Sequence, residues 1–218
     1  MDLQKEGYRI IRSVFTREEI ERFREEADRI ATAAGSACVR HLRSHSGLFI
    51  GLSRDQRLLL QLPGDSVVAR SILFDKTPGE NWPVAWHQDL TIALRRQADV
   101  PGYGPWSVKD GAPHVQPPVD LLRNMVTIRI HLDDTPADNG ALAVIPGSHL
   151  HGRIPAHDVA AHVRDPVICE CRPGDVLLMS PLILHSSKRA VIPRRRRIVH
   201  FEYARRGDLA GNLEWLES

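Results

Sequence analysis

Met125-Val126-Thr127-Ile128-Arg129-Ile130-His131-Leu132 alternates apolar and polar residues without a break. Side chains alternate across a β-strand, so Val126, Ile128, Ile130 and Leu132 share one face and Thr127, Arg129 and His131 the other. Three polar side chains in a row are costly in a dry core, so that second face looks either to solvent or into a polar lumen. The neighbouring sequence continues the β pattern. Short apolar or β-branched runs at Ser66 to Phe74, Val84 to Leu94, Ala141 to Ile145, Val167 to Cys171, Asp175 to Leu184 and Ile198 to Tyr203 are set off by turn residues. Among these are Asp138-Asn139-Gly140, Pro146-Gly147-Ser148-His149 and Arg172-Pro173-Gly174-Asp175. Many short strands with turn signals predict a sandwich or barrel. Helices come first: Thr16 to Ala33 carries a Thr16/Glu19 capping box, a Phe15/Ile20 staple and a stripe of Ile20, Phe23, Ala27 and Ile30. A strand at Gly7 to Val14 precedes it, a weaker helix at Arg54 to Leu60 follows, and a helical turn is expected at Asp158 to Val163. The fold class is mainly β with flanking α-helices.

A chain of 218 residues fits one domain. The expected division is an N-terminal helical region over about 1–62, a β core over about 66–204 and an insert over about 95–121. The insert is rich in Pro and Gly between Val100 and Pro118, yet holds Tyr103, Trp106, His114 and Gln116. That is unlike disordered composition, so an ordered lid over a site is expected. With 29 basic against 27 acidic residues, no nucleic-acid partner is implied, and Arg194-Arg195-Arg196-Arg197 reads as a rim with one or two inward arginines. Cys38, Cys169 and Cys171 are too few for a disulfide framework and are read as thiols in a reducing compartment. Met1 to Gly7 is polar, so a signal peptide is not expected. No apolar run approaches about 18 residues, the length of a membrane span. The protein is therefore expected in the cytoplasm, away from membranes.

The chemistry centres on Trp86-His87-Gln88-Asp89. On a strand, His87 and Asp89 point to one side, and an imidazole beside a carboxylate can hold a divalent metal. Among the 11 histidines, His131-Leu132-Asp133 has the same spacing, although Asp133-Asp134-Thr135-Pro136 reads as a solvated strand end. On spacing alone the two pairs are nearly even. His185, ending the apolar run Leu182-Ile183-Leu184, favours the first pair. His87, Asp89 and His185 would form a two-histidine, one-carboxylate triad with open metal positions, which suits non-haem Fe(II). An arginine on a neighbouring strand could pair the far carboxylate of a metal-bound keto acid with a bidentate fork.

Glu6-Gly7-Tyr8 through Glu19, Trp86-His87-Gln88-Asp89, Asn139-Gly140-Ala141-Leu142 through Pro146-Gly147-Ser148-His149, and His185-Ser186-Ser187 occur in that order. In this the chain resembles the phytanoyl-CoA dioxygenase family, iron(II)- and 2-oxoglutarate-dependent oxygenases. The resemblance implies a double-stranded β-helix, the cupin-like jelly roll. It implies Fe(II) on His87, Asp89 and His185, with 2-oxoglutarate and O2 as co-substrates. The family places its keto-acid arginine eleven positions after the distal histidine. That points to Arg196, with Arg194 as the alternative on the same strand face and Ser187 as a second contact. Thr127 and Arg129 are candidate cofactor contacts. Lys76, Trp86, His114 and Gln116 are candidate substrate contacts. Halogenases of the family carry a small residue where Asp89 stands, so oxygen transfer to a small or medium-sized molecule is implied, by hydroxylation of a C–H bond with release of succinate and CO2. The competing readings are a cupin-like metalloenzyme that does not use 2-oxoglutarate, a non-catalytic metal-binding jelly roll, and a nucleic-acid demethylase. Oligomeric state and substrate identity are not legible.

Overall fold

The alternating stretch around Ile128 lies inside the larger of two facing sheets in the computed structural model, which describes residues 3–217. The strands in chain order are β1 (Tyr8–Ile11), β2 (Cys38–Arg40), β3 (Ser66–Lys76), β4 (Val84–His87), β5 (Ile92–Ala93), β6 (Trp106–Lys109), β7 (Ala112–Val115), β8 (Val126–His131), β9 (Leu142–Val144), β10 (Val167–Cys169), β11 (Val176–Met179), β12 (His185–Ser187) and β13 (Arg196–Arg205). The large sheet runs β1-β11-β8-β13-β3-β2, the smaller β10-β9-β12-β4, and β5-β7-β6 forms a third. All strand pairs are antiparallel. This is the jelly roll with flanking helices that the strand pattern and the resemblance predict. Met1 and Asp2, part of the polar N-terminal stretch, lie outside the described residues.

Strand pleating sorts the large sheet into an apolar and a polar face. Leu73, Ile128, Ile130, Val199 and Phe201 point outward and pack under helix Arg17–Ala34 through its buried Ile20, Phe23, Ala27 and Ile30. Each such side chain contributes roughly 1.5–3 kcal/mol of burial. The Thr16 capping box forms as expected, and Gly35 closes the helix in the left-handed region, donating to Ala31 and Thr32 carbonyls. Thr127, Arg129 and His131 point inward, so the polar face of β8 meets a lumen and not bulk solvent. The tyrosine of β13, Tyr203, faces outward and donates to the Ser53 carbonyl at 2.9 Å.

Several elements differ from the sequence expectation. β1 and β2 lie before residue 66 yet complete the large sheet. The helix expected over 54–60 is the shorter Gln56–Leu59, capped by Asp55, and a further short helix not expected from the sequence, Gly47–Leu52, capped by Ser46, precedes it. The Pro/Gly-rich insert is no long loop: β6 and β7 form a hairpin paired to β5. Its two-residue turn is Asp110-Gly111, both at positive φ (49° and 77°), the pairing that two-residue hairpins favour. Cys169 and Cys171 are buried free thiols, pushed up to about 12 by burial, and Cys38 is free and half-buried. No helix among the described residues is long and apolar enough to cross a membrane.

Candidate active site

Strand β4 ends at His87, directly opposite His185 on β12. The two rings lie 4.2 Å apart. Asp89 is not on the strand, so simple alternation does not explain its position. Gln88 does. Its buried amide donates to the carbonyls of Gly152 (2.7 Å) and Leu182 (2.6 Å) and accepts from Ile154 N–H (2.8 Å). The Asp89 N–H donates to Pro181. These bonds turn the chain after His87 and bring Asp89 Oδ1 to 3.8 Å from His87 Nε2 and Oδ2 to 3.6 Å from His185 Nε2. Among the described residues this is the one group of three whose possible ligand atoms lie within 4.8 Å of one another.

The protonation pattern suits a metal. His87 Nδ1 bonds the Ala85 carbonyl (2.8 Å) and His185 Nδ1 the Ile183 carbonyl (3.0 Å). A carbonyl only accepts, so each hydrogen sits on Nδ1 and each Nε2 lone pair faces Asp89. Burial pushes His185 down to about 4, against the pull of Asp89, so it is neutral near pH 7. Burial also acts to raise Asp89, but its electrostatic coupling to the His185 ring and then the Arg70 guanidinium outweighs burial and keeps the carboxylate well below its usual range. Two imidazoles whose Nδ1 hydrogens are held by carbonyls, and one carboxylate with open space before them, are a donor set that could hold a ferrous ion.

That space is a cavity of about 230 Å³ between the sheets. Arg196, Lys76, Ser187 and Arg129 line it. Arg196 is buried and pushed down to about 10, first by burial and then by Arg129. It donates to the Gly140 carbonyl, and among the described residues it has no carboxylate partner. Gly140 sits at φ +70°, and a Cβ there would lie 2.7 Å from the Lys188 carbonyl oxygen. This is the physical reason for glycine in Asn139-Gly140-Ala141. Lys76 pairs with Arg196 across the β3–β13 ladder. Its ammonium bonds the Trp82 carbonyl at 2.7 Å, and burial, then Arg196 and Arg129, push it down to about 8. Ser187 pairs with Leu142, two residues from Gly140.

Other candidates lie elsewhere. Arg194 is on the rim with Asp138 at 3.0 Å. Asp133, read from sequence as a solvated strand end, is buried and holds Arg197 through two side-chain bonds of 2.9 and 2.8 Å, with His131 Nδ1 engaged by Thr135 at 3.0 Å. The second histidine–aspartate pair is thereby committed to structure. Thr127, a candidate cofactor contact from sequence, is fully buried and does not line the cavity, its hydroxyl unpartnered among the described residues. Trp86 packs with Ile145, Ile154 and Leu184 outside the cavity. His114 is buried within the hairpin, bonded to Ala112 (3.1 Å), and Gln116 fastens the hairpin base through its backbone to Gly104 and Pro105. Neither lines the cavity. The insert instead contributes Lys109, and β3 contributes Arg70. The signals for these were present: Asp110-Gly111 marks the hairpin, and Arg70 shares alternation with Ile72, Phe74 and Lys76.

The sequence model of the phytanoyl-CoA dioxygenase (PhyH) family matches residues 50–198. No curated protein matches the chain. Solved structures resemble it at low identity. HygX from Streptomyces hygroscopicus, with nickel and 2-oxoglutarate bound, has a TM-score of 0.67 at 20% identity, covering 93% of this chain and 84% of that one. EctD from S. alaskensis, with 2-oxoglutarate and 5-hydroxyectoine, has 0.71 at 19%, covering 94% and 74%. SnoK, a carbocyclase from nogalamycin biosynthesis, has 0.70 at 19%, covering 94% and 81%. With the family match spanning most of its length, the chain belongs to the phytanoyl-CoA dioxygenase family of iron(II)- and 2-oxoglutarate-dependent oxygenases.

Proposed function

We propose that the protein hydroxylates a C–H bond of a small molecule, as one catalytic domain, with His87, Asp89 and His185 as the ligands of its iron. The observation that carries this reading is the convergence of two Nε2 lone pairs and one ionised carboxylate beside a buried arginine that lacks a counter-ion. When bound, the iron supplies dioxygen activation: 2-oxoglutarate and O2 give succinate and CO2, and the second oxygen atom goes to the substrate.

The chain's own residues supply position. The Ala85 and Ile183 carbonyls hold the imidazole tautomers, and Gln88 holds the turn that presents Asp89. Arg196 is assigned to the far carboxylate of 2-oxoglutarate. Burying that guanidinium without an ionic partner is costly, and a carboxylate offsets the cost. Lys76, next to it on the ladder, and Ser187 are assigned to the same end of the keto acid. Arg129 donates to His200 Nδ1 at 3.1 Å, and His200 Nε2 bonds Glu202 at 3.0 Å. This buried chain orients Arg129 beside the cavity, with Thr127 as its neighbour on β8. The hairpin β6–β7 contributes Lys109 to the cavity lining. Of the substrate candidates on the insert, His114 and Gln116 serve the hairpin itself.

Hygromycin B in HygX and 5-hydroxyectoine in EctD are small molecules, and a small-molecule substrate fits a cavity of about 230 Å³. The free cysteines fit a reducing compartment, the cytoplasm. The test is conversion of 2-oxoglutarate to succinate by the purified chain with Fe(II) and ascorbate. Turnover that is lost in Asp89→Ala is the expected result. Activity independent of 2-oxoglutarate would favour a cupin-like enzyme.

A further inference from the structure

The cavity holds more positive charge than iron and 2-oxoglutarate can use. Arg40, Arg70, Lys76, Lys109, Arg129 and Arg196 line it against a single lining carboxylate, Asp89. Asp110 answers Arg40 at 2.7 Å, and Glu202 answers Arg70. Six cations against three carboxylates leave an excess of three. A divalent metal and a dianionic keto acid cancel one another, so the excess persists in the loaded site.

Five of the six cations, all but Arg129, fall into two groups. Arg70, Ile72, Phe74 and Lys76 all line the cavity from one face of β3. At about 3.3 Å per residue, six residues separate Arg70 from Lys76 by roughly 20 Å along the strand. Lys76 stands beside Arg196. At the other end Arg40 pairs with Ile72, which puts it on the same sheet face and diagonal to Arg70. Lys109 arrives from the insert: the hairpin turn is tied down by Asp110 to Arg40, which fixes Lys109 over this end. Glu202 occupies Nε and Nη2 of Arg70. The Lys109 ammonium has Thr91 Oγ1 at 3.5 Å and, among the described residues, no carboxylate partner. Burial, then Arg70 and Arg40, depress its pKa, so the three cations share one field.

Resting on the functional reading above, we infer that Lys109, with Arg70 and Arg40, forms a second oxyanion site opposite the keto-acid end, and that the primary substrate is a small carboxylate or phosphate monoester held there by its charged group. The hairpin is then a specificity element whose working residue is Lys109.

The test is calorimetric titration of the full chain, loaded with Mn(II) as an inert stand-in and with saturating 2-oxoglutarate. Phenyl phosphate and benzoate are the probes, and benzyl alcohol is the neutral control. At least one of the two anions is expected to bind one to one and at least about tenfold tighter than benzyl alcohol, and the tighter anion identifies the group. Lys109→Gln is expected to weaken it about tenfold or more while 2-oxoglutarate affinity is unchanged, and Lys109→Arg to keep it within about threefold. The inference is overturned if both anions bind no better than the alcohol, if Lys109→Gln leaves them unchanged, or if they bind only by displacing 2-oxoglutarate. Failure of the chain to bind Mn(II) and 2-oxoglutarate at all would instead sink the functional reading beneath it.

Discussion

Arg195 and Arg197 face away from the cavity and Arg196 faces into it, and the two directions obey opposite electrostatic rules. Arg195 sits between Asp75 (2.6 Å) and Asp28 (2.7 Å), and Arg197 between Asp133 (2.8 Å) and Asp28 (2.7 Å). The bonds to Asp75 raise the Arg195 pKa, and for Arg197 the bonds to Asp133 and Asp28 outweigh the opposing effect of burial. Arg196, more deeply buried than Arg195, has a backbone carbonyl and a cationic neighbour and is pushed down to about 10. Arg195 and Arg197 have their counter-ions supplied by the same chain. Arg196, assigned above to the keto acid, has none among the described residues, and the fold bears the desolvation cost while it is unpaired.

The largest effect expected from this contrast is on stability. Arg197→Ala removes the guanidinium from the buried Asp133 carboxylate, leaving it Arg24 (3.2 Å) and the residue-197 N–H (2.8 Å). Urea unfolding should show a loss of about 3 kcal/mol or more, with 2-oxoglutarate affinity of the folded fraction retained. Arg196→Met should do the reverse. The unliganded chain should be unchanged or more stable by roughly 1 kcal/mol or more, while calorimetry finds 2-oxoglutarate binding weaker by about 2–5 kcal/mol. If Arg196→Met unfolds the chain as Arg197→Ala does, the two faces are not different in kind.

A pH profile gives a smaller, sharper version of the test. Lys76 has its pKa lowered to about 8, so its charge is present below that pH and lost as pH rises through it. The 2-oxoglutarate KM should therefore climb above about pH 8, and Lys76→Arg, which stays charged, should flatten the climb. Smallest of all is Arg194→Ala. Its exposed pair with Asp138 should be worth about 0–1 kcal/mol in the same urea experiment, with no change in keto-acid affinity.

Which features were legible in the sequence follows from how local their causes are. The signals for helix Arg17–Ala34, Thr16 with Glu19 and the Ile20–Ile30 stripe, act within a few residues and read correctly. Spacing leaves the His87/Asp89 and His131/Asp133 pairs nearly even and only His185 favours the first, while strand alternation is not what presents Asp89: β4 stops at His87, and Gln88 makes the turn through bonds to Gly152, Leu182 and Ile154, distant in sequence. Asp133 looked solvated because its partner, Arg197, is 64 positions away. For Arg70, Arg40 and Lys109 the local signals stop at strand alternation and the Asp110-Gly111 turn. Each is an ordinary charged residue on its own strand, and only cross-strand register brings them to one cavity. Trp86, His114 and Gln116 stood out by type, yet packing turns them to structural tasks.

The most direct measurement is anaerobic equilibrium dialysis against Fe(II) of the intact chain, Asp89→Ala and His131→Ala. The account predicts one iron per chain for the first and third and loss of stoichiometric binding for the second. Undiminished iron in Asp89→Ala, or its loss in His131→Ala with the fold intact by circular dichroism, would contradict it.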